Sequence, residues 1–255
     1  MNWRTFVALL SRDAHVARRN IIPLMLQTLF QPMLFVFVFG RIMTRSGLMA
    51  EQYKSMLLPG IIAVSMVLSG IWAVAMPLIA EFQFSKEIED RLLAPIEIEW
   101  VAVEKMVGGM LQALFAGLVV LPIAWFVMGG VDLDGASTLS LLSIALLVAL
   151  LAAGIGLTLG CSVGQTQIGL MFSLVMAPMI FFGCTYYPWQ ALAPFPLLQR
   201  IVLINPLVYA SEGFRGALVP HFPHLSMPAV TGSLIGFDTI FVTVGLRQFR
   251  KKALG

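Results

Sequence analysis

The sequence predicts an all-α membrane protein with six transmembrane helices. Of its 255 residues, 59% are hydrophobic and 11% are charged, and the mean hydropathy is +0.90. Soluble domains carry roughly 25% charged residues, so this chain has too few polar side chains to cover a water-soluble globule. Apolar stretches recur along it that are about 20 residues long, which is enough for a helix to cross a hydrocarbon core of ~30 Å.

The first 20 residues predict an amphipathic helix that lies in the membrane interface. Trp3, Phe6 and Leu10 fall on one side at helical spacing, and the arginines fall on the other. A basic face opposite an aromatic and aliphatic face is typical of helices that lie on lipid. The apolar run after Arg19 has no small-residue cleavage site, so we expect residues 1–20 to belong to the mature protein.

Six apolar segments follow, and they give the predicted spans. Their expected bounds are 21–43, 56–80, 101–128, 139–163, 168–185 and 229–246. Six spans place both termini on the same side of the membrane. Most of the 16 Lys and Arg residues lie near the N-terminus, between the second and third spans, or in the tail. The positive-inside rule therefore predicts that both termini are cytoplasmic.

The segment 81–99 is the long polar stretch between the second and third spans. It contains six acids and two bases, which hydrocarbon does not tolerate. A helix over 85–93 would place Ile88 and Leu92 on one face and would end before Pro95. An apolar face in water needs a protein partner, so this segment is a candidate docking helix. The alternative interpretation is an ordinary solvated loop.

The region 186–228 is rich in proline and aromatic residues. Its apolar runs, such as 197–203, are too short to cross a membrane. Runs of this length fit short re-entrant or interfacial helices, which survive at membrane depth where protein covers them. The assigned topology places this region on the outer side.

The sequence lacks the motifs of an ATP site, of a zinc protease and of a paired-cysteine site. There is no Gly-Lys dipeptide and hence no P-loop, and HExxH and Cys-x-x-Cys are also absent. His221 and His224 flank a proline with no acid nearby, which favours a loop over a metal site. Cys161 and Cys184 lie in apolar stretches and are interpreted as small core residues. No basic stripe with interleaved aromatics indicates nucleic acid, and no residue constellation indicates an intramembrane enzyme.

Two features inside the predicted spans admit more than one interpretation. Asp238 is an acid deep in the sixth span, and such an acid is a candidate proton or cation site. It would then drive a proton-coupled secondary transporter; alternatively it bonds to a neighbouring helix or lies beside water.

In the fourth span a stripe of small residues permits close helix approach, either within the bundle or across a dimer seam. The stripe consists of Ala152, Gly156, Gly160 and Gly164.

Two motifs resemble the type-2 ABC export permease family. The run IEDRLLAPI, 88–96, is similar to the family's E-x-L-L-x-A/T-P segment after the second span. The run LINPLVYASEGFRGAL, 203–218, is similar to its L-N-P-L-x-Y-x-x-x-x-x-R signature, and the preceding YYPWQALAPFP resembles its Pro-rich stretch. Trp189 and Gln190 depart from the smaller residues that are usual there. Six spans, an amphipathic N-terminal helix and a length of 255 residues also fit the family, so the resemblance covers essentially the whole chain.

The resemblance implies a function and a set of partners. The chain would be the transmembrane subunit of an ABC exporter in the cell inner membrane and not itself an enzyme. It would work as a homodimer with a separate cytoplasmic ABC ATPase, which would hold the ATP and Mg. The cargo would be amphipathic, such as a drug-like compound, a lipid or a lipid-linked glycan, and would pass between the two permease copies.

The resemblance also implies roles for particular residues. The interface helix would rest near the ATPase, and the segment after the second span would couple to the ATPase. The expected coupling residues are Ser85, Lys86, Glu87, Ile88, Glu89, Asp90, Arg91, Leu92, Leu93, Ala94 and Pro95. The expected outer gate and translocation residues are Tyr186, Tyr187, Pro188, Trp189, Asn205, Pro206, Tyr209 and Arg215. The Asn205-Pro206 pair is interpreted as a turn.

Overall fold

The described part of the chain is helical. The computed structural model describes residues 11–12, 30, 33–47, 53–82, 98–129, 133 and 135–254. The side chains of Trp3, Phe6 and Leu10 and the predicted coupling residues 85–95 lie outside this part. Within it every regular element is a helix and no strand occurs, so the predicted all-α class is confirmed there.

Eight helices in the described part are labelled in chain order. They are α1, Val36–Ile42 and Met43–Arg45; α2, Tyr53–Ala80; α3, Ile98–Val127; α4, Thr138–Ser162; α5, Ile168–Met171, Phe172–Met176 and Ala177–Phe181; α6, Pro196–Ile201; α7, Pro206–Leu218; and α8, Met227–Ala253. The stretches Val36–Ile42 and Phe172–Met176 are π-helical. Short 3₁₀ turns occupy Gln165–Gln167, Trp189–Leu192 and Val202–Ile204.

Four of the described helices, α2, α3, α4 and α8, are long and apolar enough to cross a membrane. The first three begin and end within three residues of the predicted second, third and fourth spans. Helices α2 and α3 contain prolines in their interiors, which membrane helices tolerate because neighbouring groups satisfy the freed carbonyls. The first predicted span is described only in part, and α5 is shorter than a crossing helix. The full set of six spans therefore stays a prediction.

Helix α2 is the central helix of the bundle. It packs against α3, α4 and α7. In its most apolar window 78% of the residues are buried, compared with 28% in α3 and 22% in α8. An apolar helix that is buried on all sides belongs to the interior of a bundle, whereas exposed apolar faces lie against lipid or another protein. The interior of this chain is thus built around α2.

The small-residue stripe of α4 packs within the bundle. A Cβ added to Gly156 would lie 2.9 Å from the carbonyl oxygen of Ile71, and one added to Gly160 would lie 3.0 Å from Cα of Ala75. Both neighbours belong to α2. The stripe therefore permits close approach of α4 and α2, which supports the intrachain alternative for these positions.

The bundle has two ends with different contents. At one end α2 begins, α3 ends, and α4 and α8 begin; α7 inserts here among α2, α4 and α8. The N–H of Ser137 donates to the carbonyl of Ala217 at 3.0 Å and ties the start of α4 to α7. We call this the α7 end. At the other end α2 and α4 end, α3 begins and α8 finishes, and we call this the tail end.

Helix α8 continues past the predicted sixth span, 229–246, as far as Ala253. The hydropathy falls at Arg247, which is why the predicted span stops there. Arginine, lysine and glutamine are good helix formers, however, and cations in the last turn are favoured by the helix dipole. Arg250, Lys251 and Lys252 occupy that last turn. The basic tail is thus the helical end of α8.

Candidate functional site

The start of α7 is fixed by Asn205. Its side-chain oxygen accepts a hydrogen bond from the N–H of Leu207 at 3.0 Å, and its side-chain amide donates to the carbonyl of Met179 at 2.8 Å. Asn205 is therefore the N-cap of α7, and Pro206 follows at the first helical position, where its missing N–H carries no penalty. The predicted turn at Asn205-Pro206 is a capped helix start that also holds the end of α5.

A buried ion pair lies about two to three turns further along α7. Glu212 and Arg215 are both fully buried, and an Nη1 of Arg215 donates to Oε1 of Glu212. The other terminal nitrogen of Arg215 donates to the carbonyl of Cys184 at 3.0 Å. Removing charges from water carries a large penalty that only close pairing and additional hydrogen bonds offset. Here both are present.

Glu212 binds two further donors from separate parts of the chain. Its Oε1 accepts from the N–H of Trp189 at 2.9 Å, and its Oε2 accepts from the N–H of Leu225 at 2.8 Å. The indole N–H of Trp189 donates in turn to the carbonyl of Gln199 in α6 at 2.9 Å. One carboxylate thus joins the 3₁₀ turn before α6, the middle of α7 and the loop before α8.

Tyr186 connects this network to α1 and α2. The carbonyl of Tyr186 accepts from the hydroxyl of Tyr53 at 2.9 Å. Its ring stacks on Phe35 and Phe39 of α1, with centroids 4.9 and 6.0 Å apart. The preceding residue, Thr185, lies very close to α2: a Cβ added to Gly60 would be 1.8 Å from the carbonyl oxygen of Thr185. Thr185 and Tyr186 are therefore packed tightly against the first part of α2.

The remaining predicted outer residues have separate contacts. The hydroxyl of Tyr187 donates to the carbonyl of Phe181 at 3.0 Å, and that of Tyr209 donates to the carbonyl of Leu203 at 3.0 Å. The ring of Tyr209 lies 5.8 Å from that of Phe237 in α8. Pro188 is buried and precedes the 3₁₀ turn that begins at Trp189. These residues brace the same region without joining the ion pair.

Burial governs the acid–base properties of this end. It raises the pKa of the Tyr186 phenol, and the neighbouring Tyr53 raises it further. Burial also raises the pKa of Tyr187. Burial lowers the pKa of Arg215, and Glu212 opposes that change. An arginine keeps its proton even so, and the two tyrosines stay neutral at physiological pH.

This cluster and the family signature coincide in the chain. The ABC-2 type transporter family model matches residues 4–219, which include Asn205 and Arg215. The chain belongs to the ABC-2 type transporter family. It is 26% identical over 216 residues to the inner membrane transport permease YadH of Escherichia coli strain K12, covering 84% of this chain and 82% of that protein. The inner membrane transport permeases YadH of Escherichia coli O157:H7 and of Shigella flexneri match to the same extent.

Family membership makes this chain a membrane transport permease, and the family implies pairing with an ABC ATPase in general. The geometry of the α7 end fits a mechanical role better than a chemical one. Among the described residues at this end, Glu212 and Arg215 bind each other and the backbone, and the hydroxyls of Tyr187 and Tyr209 bind backbone carbonyls. In the described part of the permease, no group of three His, Cys, Asp or Glu side chains is arranged to hold a metal ion.

Glu212 is the central residue of the cluster and was not among the predicted site residues. Trp189, Asn205 and Arg215 were, and the structure brings Trp189 and Arg215 together through Glu212. The signal in the sequence was an acid three residues before an arginine, in a short segment that is otherwise almost free of charge. The backbone donors at Trp189 and Leu225 leave no such signal.

A second polar cluster lies at the tail end of the permease. Nζ of Lys105 in α3 is 2.7 Å from Oε1 of Glu81, which follows α2 directly, and both side chains are almost fully buried. The ring of Phe82 contacts that of the buried Phe249 edge to face, with centroids 5.7 Å apart. The predicted coupling residues follow Phe82 in the chain, so the cluster lies at the base of that segment.

Asp238 is buried inside the permease. It is 4% exposed, and neither carboxylate oxygen has a hydrogen-bond partner among the described residues. It shares the buried stripe of α8 with Leu234 and Gly245. A Cβ on Gly245 would touch Leu157 of α4 at 3.0 Å, so this stripe faces α4. Of the alternatives for Asp238, a bond to a neighbouring helix is not found in the described part of the chain.

Proposed function

We propose that this permease is the transmembrane subunit of an ABC exporter. It would move an amphipathic substrate, such as a drug-like compound, a lipid or a lipid-linked glycan, out of the cytoplasm or the inner leaflet. A separate ABC ATPase would bind ATP and Mg and supply the energy. A second, identical copy would complete the pathway, with both termini in the cytoplasm.

The observation that carries the proposal is the family match over 4–219. Two structural features support it. The two longest described helices, α2 and α3, end and begin at the tail end, so the polar segment between them starts and finishes on one side of the bundle. The opposite end contains the buried network around Glu212. A docking segment and an outer gate on opposite sides of the bundle would suit an exporter.

The docking helix is proposed over Ser85–Pro95, with Ile88 and Leu92 as its apolar contacts. Burying a carboxylate in an apolar cleft without a partner carries a penalty of several kcal/mol, on the order of the whole free energy of a modest interface. We therefore expect Ile88→Asp/Leu92→Asp to lose the ATPase. The polar residues around them would add the rim contacts.

The test is co-purification of the tagged permease with a candidate ABC ATPase from the same organism. Wild type is compared with Ile88→Asp/Leu92→Asp and with Leu254→Asp, whose side chain is exposed at the tail end. Loss of the ATPase in the double variant alone, with unchanged membrane insertion, supports the proposal. Equal recovery in all three proteins shows that the segment is a plain loop. No ATPase with wild type refutes the exporter.

A second candidate function is a proton-coupled secondary transporter. The burial of Asp238 without a hydrogen-bond partner in the described part favours it, because an intramembrane acid without a structural role marks a proton or cation site. Its test is dye transport in proteoliposomes under an imposed pH gradient without ATP. Gradient-driven transport that is lost in Asp238→Asn and retained in Thr239→Val, an exposed neighbour, favours this function. Transport that requires the ATPase excludes it.

A further inference from the structure

The last turn of α8 contacts both flanks of the proposed docking segment. On the α2 side, Phe249 packs edge to face on Phe82, and Nζ of Lys252 lies 4.8 Å from the centroid of the same ring. On the α3 side, Arg250 is 3.5 Å from Glu99. Phe82 and Glu99 are thus both held by residues within one turn of a single helix.

The same turn is anchored firmly to the rest of the bundle. Phe249 is fully buried and belongs to an apolar cluster with Leu78 of α2 and Cys161 of α4. One residue earlier, Gln248 accepts a hydrogen bond from the hydroxyl of Ser162 at 2.7 Å. The end of α8 therefore has a fixed position relative to α4. Its contacts to Phe82 and Glu99 therefore place the two flanks relative to α4.

These contacts differ in strength, and the stronger ones lie on the α2 side. The aromatic contact is buried, the cation lies over a half-buried ring, and the ion pair between Glu99 and Arg250 is exposed, 45% and 65% for the two side chains. Buried apolar contacts fix a geometry, whereas exposed charge pairs contribute little and reform easily. The α2 flank is thus held rigidly and the α3 flank loosely.

We propose that the last turn of α8, Phe249–Lys252, is a positioning element for the ATPase docking segment. It sets the orientation of both flanks and links ATPase docking to α8. Phe249, Arg250 and Lys252 are positioning residues that act through Phe82 and Glu99. This inference rests on the proposed function, since it assumes that the segment between these flanks docks the ATPase.

The experiment uses the full-length permease in nanodiscs and the ATPase recovered by co-purification. The dissociation constant and the stimulation of ATP hydrolysis are measured for wild type, Arg250→Gln/Lys252→Met and Arg247→Gln/Lys251→Met. The last variant removes the same charge from exposed positions of the same helix. We expect about threefold to tenfold weaker binding and lower stimulation in the first double variant, from one cation–π contact and one surface ion pair. The control stays near wild type.

Two rescue variants separate positioning from a general effect on folding. Lys252→Arg keeps a cation over Phe82, and the exchange Glu99→Arg/Arg250→Glu restores the ion pair with reversed sign; both are expected to bind as wild type does. The thermal stability of all variants should stay close to that of wild type, since they change exposed or half-buried side chains. Equal binding by both double variants, or equal weakening by both, overturns the proposal. If wild type binds no ATPase, the proposed function fails first and this inference falls with it.

Discussion

At the α7 end, Glu212 and Arg215 are fully buried and held by backbone donors and acceptors from three segments. At the tail end, the ion pair between Glu99 and Arg250 is largely exposed, whereas the pair between Glu81 and Lys105 is buried. Buried, hydrogen-bonded charges tolerate little displacement because each lost partner leaves an unpaired charge in a medium of low polarity. Exposed pairs exchange with water. The comparison identifies a fixed α7 end and a tail end whose α3 flank is adjustable.

The largest expected effect comes from breaking the fixed end. Arg215→Met leaves Glu212 buried without its cation and should destabilise the permease by about 3–5 kcal/mol. The measurement is the thermal stability of the detergent-solubilised protein by differential scanning fluorimetry. Adding Glu212→Gln removes the stranded charge and should recover part of the loss. Unchanged stability in Arg215→Met would contradict a fixed α7 end.

A backbone contact at the same end gives the next effect. Gly60→Ala places a methyl group against the carbonyl of Thr185, which a rigid neighbour cannot avoid without moving. We expect Gly60→Ala to lower the free energy of unfolding by about 3 kcal/mol. The measurement is differential scanning fluorimetry, as for Arg215→Met. Gly236→Ala is the matched control in a spanning helix, since nothing lies within 4 Å of its Cβ. A similar loss in both variants would mean that the contact at Gly60 is unimportant.

The buried pair at the tail end is expected to matter less. Lys105→Met removes the cation from Glu81 and should reduce stability by about 2 kcal/mol, because the pair lies closer to water than the one in α7. If Lys105→Met proves as damaging as Arg215→Met, the two ends do not differ in rigidity. The measurement is the same unfolding temperature in the same detergent.

The exposed pair gives the smallest effect. Arg250→Gln alone should change stability by less than about 1 kcal/mol, and the change should vanish at high salt because exposed charges are screened. Its stability is compared at about 0.05 M and about 1 M salt. A salt-independent loss would show that Arg250 belongs to the buried part of the tail end.

The helices were predictable where hydropathy alone decides them. The helices α2, α3 and α4 follow the apolar segments closely because a spanning helix needs a continuous apolar surface. The end of α8 was missed because the helix continues beyond the apolar segment into charged sequence. The fragmented course of α5, with its π-helical stretch, depends on contacts that no local pattern encodes.

The candidate site was predictable only in part. The family resemblance pointed to Asn205 and Arg215, but as separate members of a motif. Their roles depend on partners far away in sequence, such as the carbonyls of Met179 and Cys184. Backbone groups have the same chemistry at every residue, so a sequence cannot show which of them meets a side chain. The role of Glu212 was missed for the same reason, because two of its partners are backbone N–H groups.

The carboxylate of Glu212 has a mechanical consequence. Its Oε1 is shared by the backbone at Trp189 and the guanidinium of Arg215, and its Oε2 holds the backbone at Leu225. A movement that separated any one of these segments would expose the charge and weaken the remaining bonds. We therefore expect the three segments to move together as one rigid unit. In the proposed exporter, opening at this end would then be an all-or-none step.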